Sequence, residues 1–366
     1  MSEINTVRTV GPKSAKKAII KALTVKRPIF IWGPPGIGKS DLIKQIGDES
    51  GSHVIDVRLS LWDPTDIKGV PFFDDVSGTM KWAPPSELPG IKEAEQYSRI
   101  ILFLDEMNSA SPSVQSAAYQ LVLNRKVGTY VLPDNVVIVA AGNREGDKGV
   151  TYAMPAPLSN RFIHLEMASK FDDWFEWATE NTIHKDVVGY LNWAKEDLYK
   201  FDPKVKTRAF ATPRSWSFVS ELLSDNDCDD DTLMTLMSGA VGDGVAVKFA
   251  AYQKLAGKLP NPSDILSGKV TKLDYQEISA MYALTIGLCY ELKDASARGD
   301  ANYNTQVSNY IVFMMDNFET ELVIMGTKLA MATYKLPMDI TTIDRFNEFH
   351  KRYGSYISAA SSANTK

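Results

Sequence analysis

Residues 33–40 read Gly-Pro-Pro-Gly-Ile-Gly-Lys-Ser, filling every fixed position of the pattern G-x-x-x-x-G-K-[S/T]. The flanking residues restrict what the chain around it can become. Pro28-Ile29-Phe30-Ile31-Trp32 is a short apolar run of buried-strand character, and Lys39 to Ile46 has helical periodicity. A strand that turns through glycines into a helix aims its backbone N–H groups inward. The helix's positive end then points at the contents of the loop. That construction suits phosphate. Gly33, Pro34, Pro35, Gly36, Ile37 and Gly38 supply the cradle. The Lys39 ammonium reaches the outer phosphates, and the Ser40 hydroxyl is a ligand for Mg2+.

Further apolar runs follow at His53 to Leu59, Ile100 to Leu104, Val136 to Ala141 and Phe162 to Leu165. Helical patterns separate several of them, as at Ser113 to Leu123, and Pro12 to Leu23 forms an amphipathic helix before the first strand. Continuous apolar strands alternating with helices predict an α/β fold with a parallel sheet covered on both faces. Two interruptions carry hairpin signals: Val70 to Trp82, around Asp74-Asp75-Val76-Ser77-Gly78, and Lys126 to Val131. Beyond about Ala168 the pattern turns helical, with an acidic loop at Asp225 to Asp231 and a linker candidate at Gly257 to Lys269. Helices are expected at Tyr275 to Leu292, Tyr303 to Met331 with a break near Asn317, and Ile340 to Ile357, before a tail that frays from Ser358. The expected domains are 1–168 for nucleotide binding, 169–269 as a helical lid, and 270–366 as a helical extension.

Composition narrows the setting. Apolar residues are 44%, charged residues 23% and the net charge −5, an ordinary globular balance with no global pull toward nucleic acid or anionic membrane. Two cysteines exclude a disulfide framework and a cysteine-based zinc site, and make a reducing cytoplasmic location the expectation. No apolar stretch approaches the ~18 residues that signal a membrane span, and the basic N-terminal stretch lacks a signal peptide's apolar core.

The strand Ile100 to Leu104 delivers Asp105 and Glu106 to its C-terminal end. Buried carboxylates need a partner or a metal. Behind a complete phosphate loop, Asp105 is expected to support Mg2+ and Glu106 to polarise an attacking water. The next apolar strand ends in Gly142-Asn143, where an amide beside the acidic pair can hold that water; an ordinary turn asparagine is the plainer alternative. Arg161 stands just before the fifth strand, and Arg214 follows Thr212-Pro213 at a helix start, a place that disfavours cations lacking an anionic partner. Each arginine can also be read as a surface or salt-bridge residue.

Taken in this order, the motifs resemble the AAA+ ATPases, and Leu61-Trp62-Asp63-Pro64-Thr65-Asp66-Ile67-Lys68-Gly69 with the two hairpins is similar to the MoxR group. The resemblance covers about Ser14 to Lys258. It implies a five-stranded sheet of order 5-1-4-3-2, a helical lid, a ring that is usually hexameric, and ATP hydrolysis between subunits with ATP and Mg2+ as cofactors. It implies roles for Lys39 and Ser40 on phosphate and Mg2+, Asp105 on the metal and Glu106 as base. Asn143 would be the first sensor, Arg161 a finger acting in trans and Arg214 the second sensor. Members often work with a protein bearing a von Willebrand factor A domain. Where many relatives have proline, this chain has Arg144, and both a second finger and a surface residue stay open for it. The alternative function is an AAA+ loader or restriction-type motor on nucleic acid. Its support is the basic run Arg8, Lys13, Lys16, Lys17, Lys21, Lys26 and Arg27, which a solvated helix face also explains. A nucleotide-gated switch is disfavoured by the intact Glu106. The methionines between Met281 and Met338 read as helical core or as an adaptable client surface.

Overall fold

A computed structural model describes residues 8–144, 146–147, 151–205, 207–225, 227–273 and 277–363, with backbone alone for 358–363. The chain forms two compact units, Met1–Asp173 with Asp202–Lys206, and Trp174–Phe201 with Thr207–Lys366. The helices of 174–269 and those of 270–366 share the second unit.

The strands of the first unit are β1 (Thr9–Val10), β2 (Ile29–Trp32), β3 (His53–Arg58), β4 (Val70–Asp74), β5 (Thr79–Ala83), β6 (Ile100–Asp105), β7 (Lys126–Val127), β8 (Tyr130–Val131), β9 (Val136–Gly142) and β10 (Ile163–Met167). The main sheet has the order β1-β10-β2-β9-β6-β3, and every pairing in it is parallel. The five strands expected from the sequence stand in the expected order. The sheet has six strands rather than five, because Thr9 and Val10 pair with Glu166 and Met167. Two residues are too short a run for an apolar pattern to reveal.

β6 and β9 are buried at every residue, as a parallel sheet covered on both faces requires. On one face, Ile100, Leu102, Leu104, Val136 and Ile138 pack with Val114, Ala117 and Leu121 of the helix Pro112–Asn124. That helix starts where Ser111 caps it, its hydroxyl accepting from the Val114 N–H, with Pro112 in the first turn. It ends at Arg125, whose left-handed backbone turns the chain. The Arg125 guanidinium donates to the carbonyls of Pro133 (2.6 Å) and Val136 (2.9 Å), fixing the entry to β9. Both expected hairpins form, β4 with β5 and β7 with β8. Thr129 Oγ1 donates to the Trp82 carbonyl at 2.8 Å and so joins one hairpin to the other.

The second unit is helical, with no strand among the described residues. Tyr190, Trp216, Phe249 and Tyr252 pack ring against ring at its centre. Met281, Met314 and Met315 are buried in the core, Met325 and Met338 are half-buried, and Met331 is exposed. The linker expected at Gly257 to Lys269 is instead interrupted by a helix, Pro262–Leu266. Asn261 caps it, Pro262 starts it, and Ile265 and Leu266 are buried. The expected break near Asn317 divides Tyr303–Asn317 from Thr320–Lys328. The helix expected from Tyr275 runs from Ile278 to Arg298, and Tyr275 lies outside the described residues. So do Asn226 of the acidic loop and the last three residues of the tail, whereas Ser358 to Ala363 continue the final helix rather than fraying.

Candidate nucleotide and hydrolysis site

Three adjacent strands of a parallel sheet end together, and their exits bring the motif residues to one edge. In register, Trp32 of β2 lies beside Gly142 of β9, and Leu104 of β6 beside Ala140. The loop after β2, the carboxylates after β6 and the asparagine after β9 therefore converge. Gly36 and Gly38 hold left-handed backbones, with φ of 76° and 87°, which a side chain at either position would strain.

The polar groups meet closely. Lys39 Nζ donates to the carbonyls of Gly33 (2.6 Å) and Pro34 (3.1 Å) and to Asn143 Oδ1 (3.2 Å). Ser40 Oγ donates to Asp105 Oδ2 at 2.8 Å, and the Glu106 N–H donates to Asp105 Oδ1 at 2.8 Å. Asp105 is buried, while Glu106 is half-buried on a left-handed backbone of φ 53°. Ser60, just past β3, donates its hydroxyl to Glu106 Oε2. Asp56 on β3 feels the same acidic cluster. Burial first, then repulsion from Asp105, raises its pKa against the pull of Arg58 and Lys44.

Asn108, Ser60 and His164 join the set although none was singled out from the sequence. Asn108 is 1% exposed. Its Nδ2 donates to the Asn143 carbonyl at 2.6 Å, and its Oδ1 accepts from the Asn143 N–H at 3.1 Å. A Cβ at Gly142 would stand 2.2 Å from Asn108 Oδ1, so the bare glycine makes room for this clamp. A signal for Asn108 existed in its position three residues beyond Asp105; Ser60 carried none. His164 is reached by the Trp32 indole N–H at 2.8 Å.

The arginines fall elsewhere. Arg144 pairs with Glu166 of its own unit and donates to the Met167 carbonyl at 3.3 Å, so it is tied to β10. Arg161 is exposed, before β10, and no side-chain partner is found for it among the described residues. In register, Ile163 sits beside Ile29 at the start of β2, whereas the phosphate loop follows Trp32 at its end. At ~3.3 Å per residue, Arg161 and that loop lie on opposite edges of the sheet, separated by roughly 15 Å of strand. Arg214 belongs to the second unit, exposed in the first turn of the helix Pro213–Ser224 under the Thr212 cap.

The residues suit a magnesium nucleotide. Ser40 and Asp105 present two hard oxygen donors 2.8 Å apart, the ligand type Mg2+ takes. The helix Lys39–Ser50 begins at Gly38 without a side-chain cap, leaving its first N–H groups for an anion.

Fold and site together give the first unit the AAA+ P-loop nucleotide-hydrolase fold. Residues 29–167 match the family described as "ATPase family associated with various cellular activities (AAA)", and this domain is that of an ATP hydrolase. Midasin from Giardia intestinalis is 25% identical over 201 residues, covering 52% of this chain and 4% of that protein. Protein SAV from Sulfolobus acidocaldarius is 32% identical over 133 residues, covering 33% of this chain and 15% of that protein. The chain thus spans a small fraction of the length of these relatives. Among solved structures, the RuvB Holliday junction branch migration motor of Thermotoga maritima is 15% identical at a TM-score of 0.36, covering 84% of this chain and 88% of that one. No helix among the described residues is long and apolar enough to cross a membrane.

Proposed function

We propose that the chain is a MoxR-like ATPase whose copies form a ring, a hexamer in our reading, and hydrolyse ATP at the junction between neighbours to remodel or activate a partner protein. A protein with a von Willebrand factor A domain is the partner class we favour. The observation that carries the reading is the separation of Arg161 from Lys39 across the sheet. An arginine that stands before β10 cannot strand-wise reach the loop after β2 of its own subunit, so its target is a neighbour's nucleotide. In this reading the helices of 169–269 are the lid carrying Arg214, and those of 270–366 complete it or dock the partner.

Bound Mg–ATP supplies the scissile phosphoanhydride and the metal's charge. The backbone N–H groups around Gly36 to Lys39 and the Lys39 ammonium hold the phosphates. Ser40 and Asp105 would hold the metal through oxygen. With Glu106 Oε2 occupied by Ser60, Oε1 is the atom that takes the proton of the attacking water. Asn143 orients that water, and Arg161 from the neighbour stabilises the charge of the transferring group. Such a finger is worth about 10³–10⁵ in turnover.

Turnover per subunit should climb with protein concentration as rings assemble. Arg161→Ala and Lys39→Ala subunits, each inactive alone, should regain turnover when mixed, because an intact finger then meets an intact pocket. A mixture that demonstrably exchanges subunits yet stays inactive refutes action in trans.

A further inference from the structure

We propose that His164 is a positioning residue for Arg161, bracing the finger's short helix against the strand that feeds the phosphate loop. This rests on the trans reading of Arg161 given above and adds a second residue to it. Trp32 is the last residue of β2 and the immediate neighbour of Gly33. Its indole N–H donates to His164 Nδ1 at 2.8 Å. Indole nitrogen only donates, so Nδ1 is the acceptor and the proton of the neutral ring sits on Nε2. Nε2 lies 2.8 Å from the Ser159 carbonyl and 3.1 Å from its hydroxyl, and the N–H donates there. Ser159 closes the helix Ala156–Ser159, two residues before Arg161.

The ring is therefore committed at both nitrogens, one to each edge of the sheet. Aromatic neighbours hold it in that plane: Trp32 meets it edge to edge, with 24° between the planes and centroids 6.0 Å apart, and Phe30 and Phe162 lie at 6.0 and 6.4 Å. Phe30 and Phe162 are buried, so the ring has little freedom to turn away. Arg161 itself is exposed. Its aim depends on the backbone it leaves from, which the buried Phe162 anchors on one side, and the His164–Ser159 contact is the nearest side-chain hydrogen bond to that backbone on the other side among the described residues. The Trp32 bond in turn anchors His164 to the strand beneath the subunit's own nucleotide. A subunit's finger is thereby registered against its own pocket while serving its neighbour's.

The test separates the two nitrogens and the two half-sites. Asparagine places an acceptor near Nδ1 and keeps the Trp32 link; glutamine reaches to Nε2 and keeps the Ser159 link. In homogeneous rings of the full chain, His164→Asn should lower turnover about tenfold or more, since small misplacement of a catalytic group has that scale of effect. Fluorescent-nucleotide affinity should stay within about twofold of the parent, and His164→Gln should remain the more active of the two variants. Mixed with Lys39→Ala subunits, which bring an intact finger, His164→Asn should regain turnover as Arg161→Ala does. Mixed with Arg161→Ala subunits it should not. Recovery with Arg161→Ala partners would place the defect in the pocket, and that or any other pattern overturns the proposal. If the Arg161→Ala with Lys39→Ala control itself fails, the trans reading falls first, and the role of His164 with it.

Discussion

Replacing Asn108 by alanine removes both hydrogen bonds that hold the main chain of Asn143. Those bonds are 2.6 and 3.1 Å long at a side chain that is 1% exposed. At about 0.5–1.5 kcal/mol each, their loss should cost roughly 1–3 kcal/mol of stability, toward the upper end because both main-chain groups lose their partner. The kinetic loss should exceed what stability alone conveys. Asn143 Oδ1 lies 3.2 Å from Lys39 Nζ, and a shift of about 1 Å in such a group can cost on the order of 100-fold. Asn108→Ala should therefore lower kcat by about 10- to 100-fold while nucleotide affinity, held mainly by the loop, changes little. Steady-state ATPase kinetics beside fluorescent-nucleotide titration reads this split. Gly142→Ala approaches the same contact from the other side, since its Cβ would stand 2.2 Å from Asn108 Oδ1, and should reproduce the defect. If Asn108 acts through Asn143, the double variant with Asn143→Ala should be no slower than Asn143→Ala alone. Fully additive losses, or a destabilised protein with unchanged kcat, would refute the reasoning.

Two further outcomes are expected. Glu106→Gln keeps the shape of the site but cannot take a proton, so nucleotide should bind with near-parent affinity while hydrolysis falls at least about 100-fold, the lower range of acid–base contributions; a parent-like rate in single turnover would remove Glu106 as base. Asp56→Asn should raise the thermal midpoint at neutral pH and lose that advantage in acid. The folded-state pKa of Asp56 is raised by burial and by Asp105, so its ionisation opposes folding above that pKa, and the cost vanishes once pH falls below the unfolded value of 3.8. Midpoints measured across pH 3 to 7 check the sign, and an equal gain at both ends would contradict it.

The parts legible in the sequence were those with a strong local pattern. The phosphate loop fixed its own strand and helix, and the apolar runs ending in Asp105 and Gly142 marked where two more strands stop. What escaped depends on neighbours distant in sequence. Ser60 matters because β3 lies beside β6 and brings its exit to Glu106. Asn108 matters through a main chain 35 residues away. His164 read as one residue in a strand, and its two bonds appear only when β10 is laid against β2. The run Gly257 to Lys269 reads as a linker because it holds two prolines and two glycines, yet behind the Asn261 cap Pro262 equally well begins a helix.

The borders of the main sheet bear on how copies of the chain can associate. One border is β1, two residues long, and the other is β3, which carries Asp56 and the exposed Arg58 and where His53 is stacked beneath the Tyr97 ring at 4.2 Å. A brief border strand and a charged one both discourage the backbone ladder from extending into another molecule. Copies of this chain are thus steered away from joining sheet to sheet. Any assembly they form has to be made by side-chain surfaces, which can slide and re-pack as a ladder of main-chain hydrogen bonds cannot.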